Sequence, residues 1–203
     1  NFKDELLIKK MIEATSHRGP DDRGFWCADH VSLGHARLSI IDLSQNARQP
    51  LWNEDGSLGI IFNGEIYNFQ ELRKQLLENG HKFRSLSDTE VILHLYEDKG
   101  EKCLKDLNGI FAFAIYSKNT NEIFLARDRM GIKPLYYYSD GAKLIFSSEI
   151  KGILAHPVER RIDEEAFHHH FRIFFTPSPF TLIKGIRKLP PAHYLVCKNK
   201  KIE

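Results

Sequence analysis

Two β-hairpin patterns in the second half of the sequence constrain the fold more than any other feature. In the first, Ile110–Ser117 and Glu122–Arg127 are strand-like apolar runs joined by four polar residues. In the second, Leu135–Tyr138 and Leu144–Phe146 flank a short turn that contains Gly141. Strands joined by turns this short run antiparallel, so the chain is predicted to build antiparallel sheet.

Helical patterns precede and separate these strand-like runs. The segment Phe2–Thr15 has apolar residues at i,i+4 spacing, as in an amphipathic helix. Two further helices, Phe69–Asn79 and Asp88–Lys99, are predicted because Asn68 and Ser87 each precede an acid by three residues, the spacing of a helix cap. A later helix is predicted near 163–171. The early strand candidates are three short runs: Gly24–Ala28, Val31–Ile41 and Leu58–Phe62.

Helices inserted between early and late strands must cover the faces of the sheets. The sequence therefore predicts an α+β sandwich of antiparallel sheets with outer helices. Residues 1–155 are expected to form its core. The pattern thins over 156–203, where four prolines occur, and we expect this stretch to end the domain and to lead into another one.

Composition narrows the class of protein. Twenty-nine Lys and Arg residues against twenty-seven Asp and Glu leave a net charge of +2, which argues against nucleic acid or a membrane surface as a partner. The longest apolar run, Ile110–Tyr116, is seven residues, whereas a membrane-spanning helix needs about 20. Three separated cysteines indicate neither a disulfide framework nor a zinc site and favour the cytoplasm. Because the chain begins with Asn1, we expect a fragment or a processed product.

Arg37 interrupts an apolar strand-like run, and a guanidinium buried there needs a partner. That partner is either an acid of the protein or the carboxylate of a ligand, which the planar guanidinium fork can bind through two hydrogen bonds. Two acids near turns, Glu65 and Asp88, could together bind an ammonium group, although Asp88 also suits the first turn of a helix.

Asn63-Gly64 is predicted to form a tight turn after the strand Leu58–Phe62. The same pair could instead hold an oxyanion during acyl transfer, through the Asn amide and the Gly N–H. The charged segment Arg127–Pro134 is more typical of a structural connector. Residue spacing identifies no nucleophile and no metal site. The three histidines His168-His169-His170 are consecutive on a predicted helix, so their side chains point in different directions and do not suit a shared metal.

These clusters belong to a series of blocks that follow one another over most of the chain. The blocks are Ser16–Asp22, His35–Asp42, Gln49-Pro50, Phe62–Asn68, Ser87–Glu90, Asn108–Ala114, Ala126–Tyr137 and Phe146–Lys151. In that order they resemble the glutaminase domain of glutamine-hydrolysing asparagine synthetases, a branch of the class II glutamine amidotransferases. The resemblance implies the four-layer αββα fold of N-terminal-nucleophile hydrolases, with two antiparallel sheets covered by helices.

The resemblance also assigns site residues. It implies that Arg37 binds the α-carboxylate of glutamine and that Glu65 and Asp88 receive its α-ammonium group. Asn63 and the Gly64 N–H would form the oxyanion hole. Backbone groups of the segment after Arg37 would line the pocket: Leu38, Ser39, Ile40 and Ile41.

The family's nucleophile is a cysteine at the extreme N-terminus, next to a terminal amine that can serve as its base. None of Cys27, Cys103 and Cys197 matches that place, so we expect the nucleophile roughly ten residues upstream of Asn1, about one strand's length. The 203 residues alone, which would lack the family's first strand, are then expected to be inactive.

The resemblance implies partners as well. A synthetase domain of the same chain would follow residue 203 and use ATP and magnesium to activate an acceptor carboxylate, whereas no cofactor is expected in the present domain. A homodimer is possible. Two alternatives stay open, a glutamine-binding scaffold without a nucleophile and an amidotransferase for a different acceptor.

Overall fold

The computed structural model describes residues 5–38 and 41–202. Its helices are α1 (Glu5–Ala14), α2 (Phe69–Glu78), α3 (Asp88–Lys99), α4 (Ile150–Ile153) and α5 (Glu164–Ile173). Its strands are β1 (Asp22–Cys27), β2 (Ser32–Arg37), β3 (Leu51–Trp52), β4 (Leu58–Ile66), β5 (Gly109–Ser117), β6 (Glu122–Arg127), β7 (Tyr136–Ser139), β8 (Leu144–Ser147), β9 (Ile186–Lys188), β10 (Tyr194–Lys198) and β11 (Lys201–Ile202). In the described part of the chain, no helix is long and apolar enough to cross a membrane.

Every strand pair is antiparallel, as the hairpin patterns predict. The largest sheet has the order β11-β10-β6-β5-β4-β3, and two smaller sheets have the orders β1-β2 and β8-β7-β9. Both predicted hairpins are confirmed, since β5 pairs with β6 and β7 pairs with β8. Residues 156–203 supply strands to the two larger sheets, with β9 next to β7 and β10 next to β6.

Alternation along β5 shows how the layers are stacked. Phe111, Phe113 and Ile115 point into an apolar cluster with α2 and α3. Ala112 and Ala114 point the other way, into a cluster that contains Leu33 of β2 and apolar residues of β7 and β8. The two smaller sheets therefore share one layer on the second face of the large sheet, and α1 and α4 pack on the outside of that layer. The predicted αββα order is confirmed.

The tight turn predicted at Asn63-Gly64 is wrong. Strand β4 continues through both residues to Ile66, and Gly64 lies opposite Phe111 of β5. A Cβ at position 64 would lie 2.1 Å from the carbonyl oxygen of Ile110, so glycine is required here by the close approach of two strands.

Helix α2 begins directly after Asn68, as predicted, but Asn68 does not cap it with its side chain. Its side chain makes no helix-capping hydrogen bond and instead bridges to the segment before β5, donating to Asp106 O at 2.9 Å and accepting from Asn108 N at 3.0 Å. The Ser87 cap is confirmed, because its hydroxyl accepts from the Glu90 backbone N–H. Glu90 itself turns back and accepts from the backbone N–H groups of Arg84 and Ser85.

Candidate functional site

A cavity of about 950 Å³ opens between the large sheet and the layer that contains β2. Its walls include residues of α1, β2, β4, β8 and the first turn of α3. The predicted site residues that line it are Arg37, Leu38, Ile41, Asn63, Gly64, Glu65 and Asp88. Ser39 and Ile40 lie outside the described residues. The structure thus brings together side chains from three separate stretches of sequence, and their roles stay predictions.

The period of two along β4 explains why Asn63 and Glu65 share this cavity. Phe62 and Ile66 belong to the core under α2 and α3, whereas Ile61 packs into the cluster on the opposite face of the sheet. Asn63 and Glu65 fall on the same face as Ile61, towards β2. Continuing the strand through Asn63-Gly64, instead of turning there, is what carries both polar side chains into the space between the layers.

The amide of Asn63 is a hydrogen-bond donor without a partner. Its Nδ2 atom is buried and has no hydrogen-bond partner among the described residues. Buried polar atoms are nearly always bonded, so this donor is available to a group that enters the cavity. The neighbouring Gly64 lines the same cavity.

Arg37 is buried, with only 7% of its surface exposed, and it donates to the backbone carbonyls of Asp42 and Ser44. A guanidinium has five N–H donors, so further donors are available to a ligand. Both contacts of the guanidinium within the described part of the chain are to backbone carbonyls. The first alternative of the sequence analysis, pairing with an internal acid, is not what these contacts show.

Asp88 lies at the start of α3 and is also buried. Its Oδ2 accepts from the backbone N–H of Ile66 at 3.0 Å, which joins the first turn of α3 to the end of β4. Burial raises the pKa of Asp88 to about 6, and the negative charge of Glu65 adds to the effect. Two acids that repel each other across a cavity favour a cation between them.

Two side chains that residue spacing did not single out hold the backbone N–H and C=O of Phe62, the residue before Asn63. Gln49 Oε1 accepts from Phe62 N at 2.6 Å, and the ring of His35 lies 3.0 Å from Phe62 O. Because a carbonyl only accepts, His35 Nε2 carries the proton. Burial lowers the pKa of His35 to about 4, with a further contribution from Arg37, so the ring is neutral at pH 7.

Asp42 is a third residue near the cavity that residue spacing did not single out. Its two carboxylate oxygens accept from Ser44 N and Leu86 N, both at 2.8 Å. The loop that follows β2 is thereby joined to the residue before the Ser87 cap. His35, Gln49 and Asp42 each lie within a block that carried the family resemblance, and this was the one sequence signal for them.

The sequence profile of the glutamine amidotransferase domain family matches residues 1–203. The chain belongs to this family. It is 43% identical over 204 residues to asparagine synthetase [glutamine-hydrolyzing] 3 of Bacillus subtilis, covering 96% of this chain and 33% of that protein. It is also 37% identical over 203 residues to amidase chry2 of Gibberella zeae, covering 97% of this chain and 29% of that protein.

Among solved structures, the glutamine phosphoribosylpyrophosphate amidotransferase of B. subtilis, complexed with ADP and GMP, superposes with a TM-score of 0.70. The identity is 20%, so this likeness concerns the fold of the family alone. It covers 98% of the present chain and 45% of that protein. The family's curated relatives are longer, and the chain spans about a third of the length of the first two described above.

Proposed function

We propose that this chain is the glutaminase half of a glutamine-dependent asparagine synthetase and that it binds glutamine in the cavity between β2 and β4. The observation that carries the proposal is the buried amide of Asn63, without a partner among the described residues, in the same cavity as Arg37, Glu65 and Asp88. A free α-amino acid carries both charges, and glutamine adds an amide that an oxyanion hole would face.

Each charged group has a role in this proposal. Arg37 binds the α-carboxylate with the N–H groups that Asp42 and Ser44 do not use. Glu65 and Asp88 receive the α-ammonium group. The segment from Leu38 through Ser39 and Ile40 to Ile41 lines the pocket beside Arg37.

Hydrolysis then follows the chemistry of acyl transfer. A cysteine thiolate attacks the side-chain carbonyl of glutamine, and Asn63 Nδ2 with the Gly64 N–H stabilises the oxyanion that develops. Ammonia leaves as the tetrahedral intermediate collapses to a thioester, which water hydrolyses to glutamate. A terminal α-amino group suits the role of base, since its pKa of about 7.7–8.0 leaves a neutral fraction at pH 7.

The three cysteines of the chain do not suit the role of nucleophile. Burial raises the pKa of the Cys103 thiol to about 12 and raises that of Cys197, which disfavours the thiolate. Cys27 is not part of the cavity wall. We assign the nucleophile to a cysteine upstream of Asn1, on a segment that pairs with β2 and β8. Both strands border the cavity, and among the described residues each has one strand neighbour.

Covalent labelling tests the nucleophile. When the full-length protein is treated with a diazoketone analogue of glutamine and digested, we expect mass spectrometry to find the adduct on an upstream cysteine. An adduct on Cys27 would refute the assignment. A full-length protein without any adduct, but with measurable glutamine binding, would support the scaffold alternative.

Replacing Asn63 tests the oxyanion hole. We expect Asn63→Ala in the full-length protein to lower kcat for glutamate release by about 10²–10³ with a small change in KM, because one donor to the oxyanion is lost. Asn119→Ala, at an exposed hairpin turn, is the matched control. Synthesis driven by added ammonia should be unchanged in both variants. Full glutaminase activity in Asn63→Ala would contradict the proposal.

The part of the relatives that this chain does not cover suggests which domain works with it. We assign the missing part to a synthetase domain of the same chain, which uses ATP and magnesium to activate an acceptor carboxylate and receives the ammonia. The chain is also similar over nearly its whole length to an amidase, so an acceptor other than aspartate remains an alternative. Asparagine formation from aspartate, glutamine and ATP by the full-length protein distinguishes the two.

A further inference from the structure

A second cluster of chemically active side chains lies away from the glutamine cavity. It consists of Glu54 in the turn between β3 and β4, His81 after α2, and His94 and Glu97 on α3. One ligand atom from each residue lies within 4.8 Å of those of the other three. His94 and Glu97 are three residues apart on the helix, so they present to the same side.

The nitrogen and oxygen atoms that face one another in the cluster are spaced approximately as the ligands of a small metal ion are. His94 Nδ1 lies 3.3 Å from Glu97 Oε2 and 3.6 Å from Glu54 Oε2, and His81 Nδ1 lies 3.9 Å from Glu97 Oε2. Zinc binds nitrogen and oxygen at about 2.0–2.2 Å in a tetrahedron, which places its ligand atoms roughly 3.3–3.6 Å apart. The cluster needs only small side-chain movements to reach this geometry.

In three of these residues, His81, Glu97 and Glu54, a hydrogen bond holds the atom that faces away from the cluster. The atom that faces the cluster is therefore available to a metal ion. Asp98 Oδ1 lies 2.9 Å from His81 Nε2, so the proton stays on that nitrogen and Nδ1 keeps its lone pair. Asn53 Nδ2 donates to Glu97 Oε1 at 3.1 Å, and Lys82 N donates to Glu54 Oε1 at 3.0 Å. Such second contacts orient metal ligands and set the tautomer of a ligating histidine.

The fourth residue of the cluster is His94. Its side chain is 1% exposed, and Nε2 is a buried nitrogen without a hydrogen-bond partner among the described residues. With Nδ1 on a metal, Nε2 carries the proton and points at Glu90 Oε1, 3.8 Å away. The backbone N–H groups of Arg84 and Ser85 donate to the two carboxylate oxygens of Glu90 and hold it beside that nitrogen.

The competing account is a protonated His94 surrounded by the carboxylates of Glu54, Glu90 and Glu97. Charge-assisted hydrogen bonds are short, about 2.7–2.9 Å. The three distances from His94 to these acids are 3.3, 3.6 and 3.8 Å. The contact with Glu97 is within reach of a hydrogen bond, whereas the separations from Glu54 and Glu90 are too long for one, so a proton on His94 bonds one of the three acids and an ion on Nδ1 would bind two.

We propose that Glu54, His81, His94 and Glu97 bind one divalent transition-metal ion of the zinc class. Two imidazole nitrogens favour such an ion over magnesium or calcium, which prefer oxygen ligands. Glu54 and Glu97 are about one-third exposed, at 37% and 34%, which gives the ion access from solvent. The site joins the β3–β4 turn and the segment after α2 to helix α3, and its role is structural, independent of glutamine hydrolysis.

Cobalt and zinc binding to the full-length protein tests the site. Titration with Co²⁺ is expected to give one equivalent with the intense visible bands of four-coordinate cobalt, which Zn²⁺ displaces. Glu54→Gln and His81→Gln, both near the surface, should weaken binding by at least roughly 10–100-fold. Glu78→Gln and His168→Gln, two exposed residues outside the cluster, are the matched controls and should bind as the parent protein does.

Thermal unfolding gives a second readout. Zn²⁺ should raise the Tm of the parent protein and both controls, and should leave the Tm of Glu54→Gln and His81→Gln unchanged. The proposal is overturned if no four-coordinate cobalt spectrum develops. It is equally overturned if the two cluster variants bind as tightly as the controls, which would mean an adventitious ion only.

Discussion

The carboxyl group of Asp88 is held in the wall of the cavity between β2 and β4, where its ionisation costs the folded state free energy. Burial, with the nearby charge of Glu65, raises its pKa to about 6 from an ordinary value of 3.8. Between these two pH values the folded chain binds more protons than the unfolded chain. The contribution of Asp88 to stability is therefore fully present below about pH 4 and is lost as pH rises through 6.

Replacing Asp88 should separate stability from function. We expect Asp88→Asn to raise the free energy of unfolding of this chain by about 1–3 kcal/mol at pH 8, because no carboxylate has to ionise in a buried position. The gain should vanish below about pH 4, as measured by urea unfolding at both pH values. In the full-length protein, kcat/KM for glutamine should fall by about 10–100-fold, since the ammonium group loses a charged partner.

Asp106→Asn is the control for this substitution. Asp106 pairs with Lys99 at the surface, where both side chains are more than one-third exposed, so its loss should change stability by less than about 1 kcal/mol. Unchanged glutamine kinetics in Asp88→Asn would remove Asp88 from the proposed ammonium site.

At the scale of the elements, one buried acid organises the connector between β6 and β7. Asp128 is 1% exposed and accepts hydrogen bonds from the backbone N–H groups of Phe111, Met130, Ile132 and Lys133. Burial raises the pKa of Asp128, but these donors outweigh burial and hold the pKa below its ordinary value. The structural role expected for this charged segment agrees with these contacts.

Asp128→Asn should therefore destabilise the chain. We expect a loss of about 2–4 kcal/mol at pH 7, because an amide accepts more weakly than a carboxylate and places its NH₂ group against backbone donors. The loss should persist down to about pH 4 and shrink as pH falls through the lowered pKa of the folded state. Asp140→Asn, which removes a carboxylate from an exposed hairpin turn, should cost less than about 1 kcal/mol in the same urea unfolding experiment.

At the scale of the whole molecule, an apolar surface lies at the end of α5. Phe171, Phe174 and Phe175 are 64%, 87% and 59% exposed, and we call these three residues the α5 surface. Large apolar side chains that are exposed together on one part of a surface are typical of a contact site for another protein surface. We expect the synthetase domain proposed above to cover this surface, because the chain spans only about a third of its relatives' length.

Separately produced domains test this contact. We expect Phe171→Ser with Phe174→Ser to weaken binding of this chain to the remainder of the protein by about tenfold or more in calorimetric titration, as loss of aromatic anchors does. Phe25→Ser on β1 is the control, since Phe25 is 41% exposed but lies outside the α5 surface. Equal affinity of the double variant and the control would place the domain contact elsewhere.

The features that the sequence predicted are those that depend on contacts between residues close together in the chain. The β5–β6 hairpin and helix α3 with its Ser87 cap depend on contacts between residues close in sequence, and their patterns predicted them. Residue types near predicted strands and turns singled out Arg37, Asn63-Gly64, Glu65 and Asp88, and the family resemblance assigned their roles. It could not show the backbone at Asn63-Gly64, which a local rule assigns to a turn and which the pairing with β5 keeps extended.

The sequence by itself determined the antiparallel hairpins, the helices that cover them and the family to which the chain belongs. Only the tertiary structure decided that Gln49 and His35 hold the backbone of Phe62 beside Asn63, and that Glu54, His81, His94 and Glu97 face one another. These contacts join residues from separate elements. They are set by how the layers pack, and no short-range pattern in a single chain records that packing.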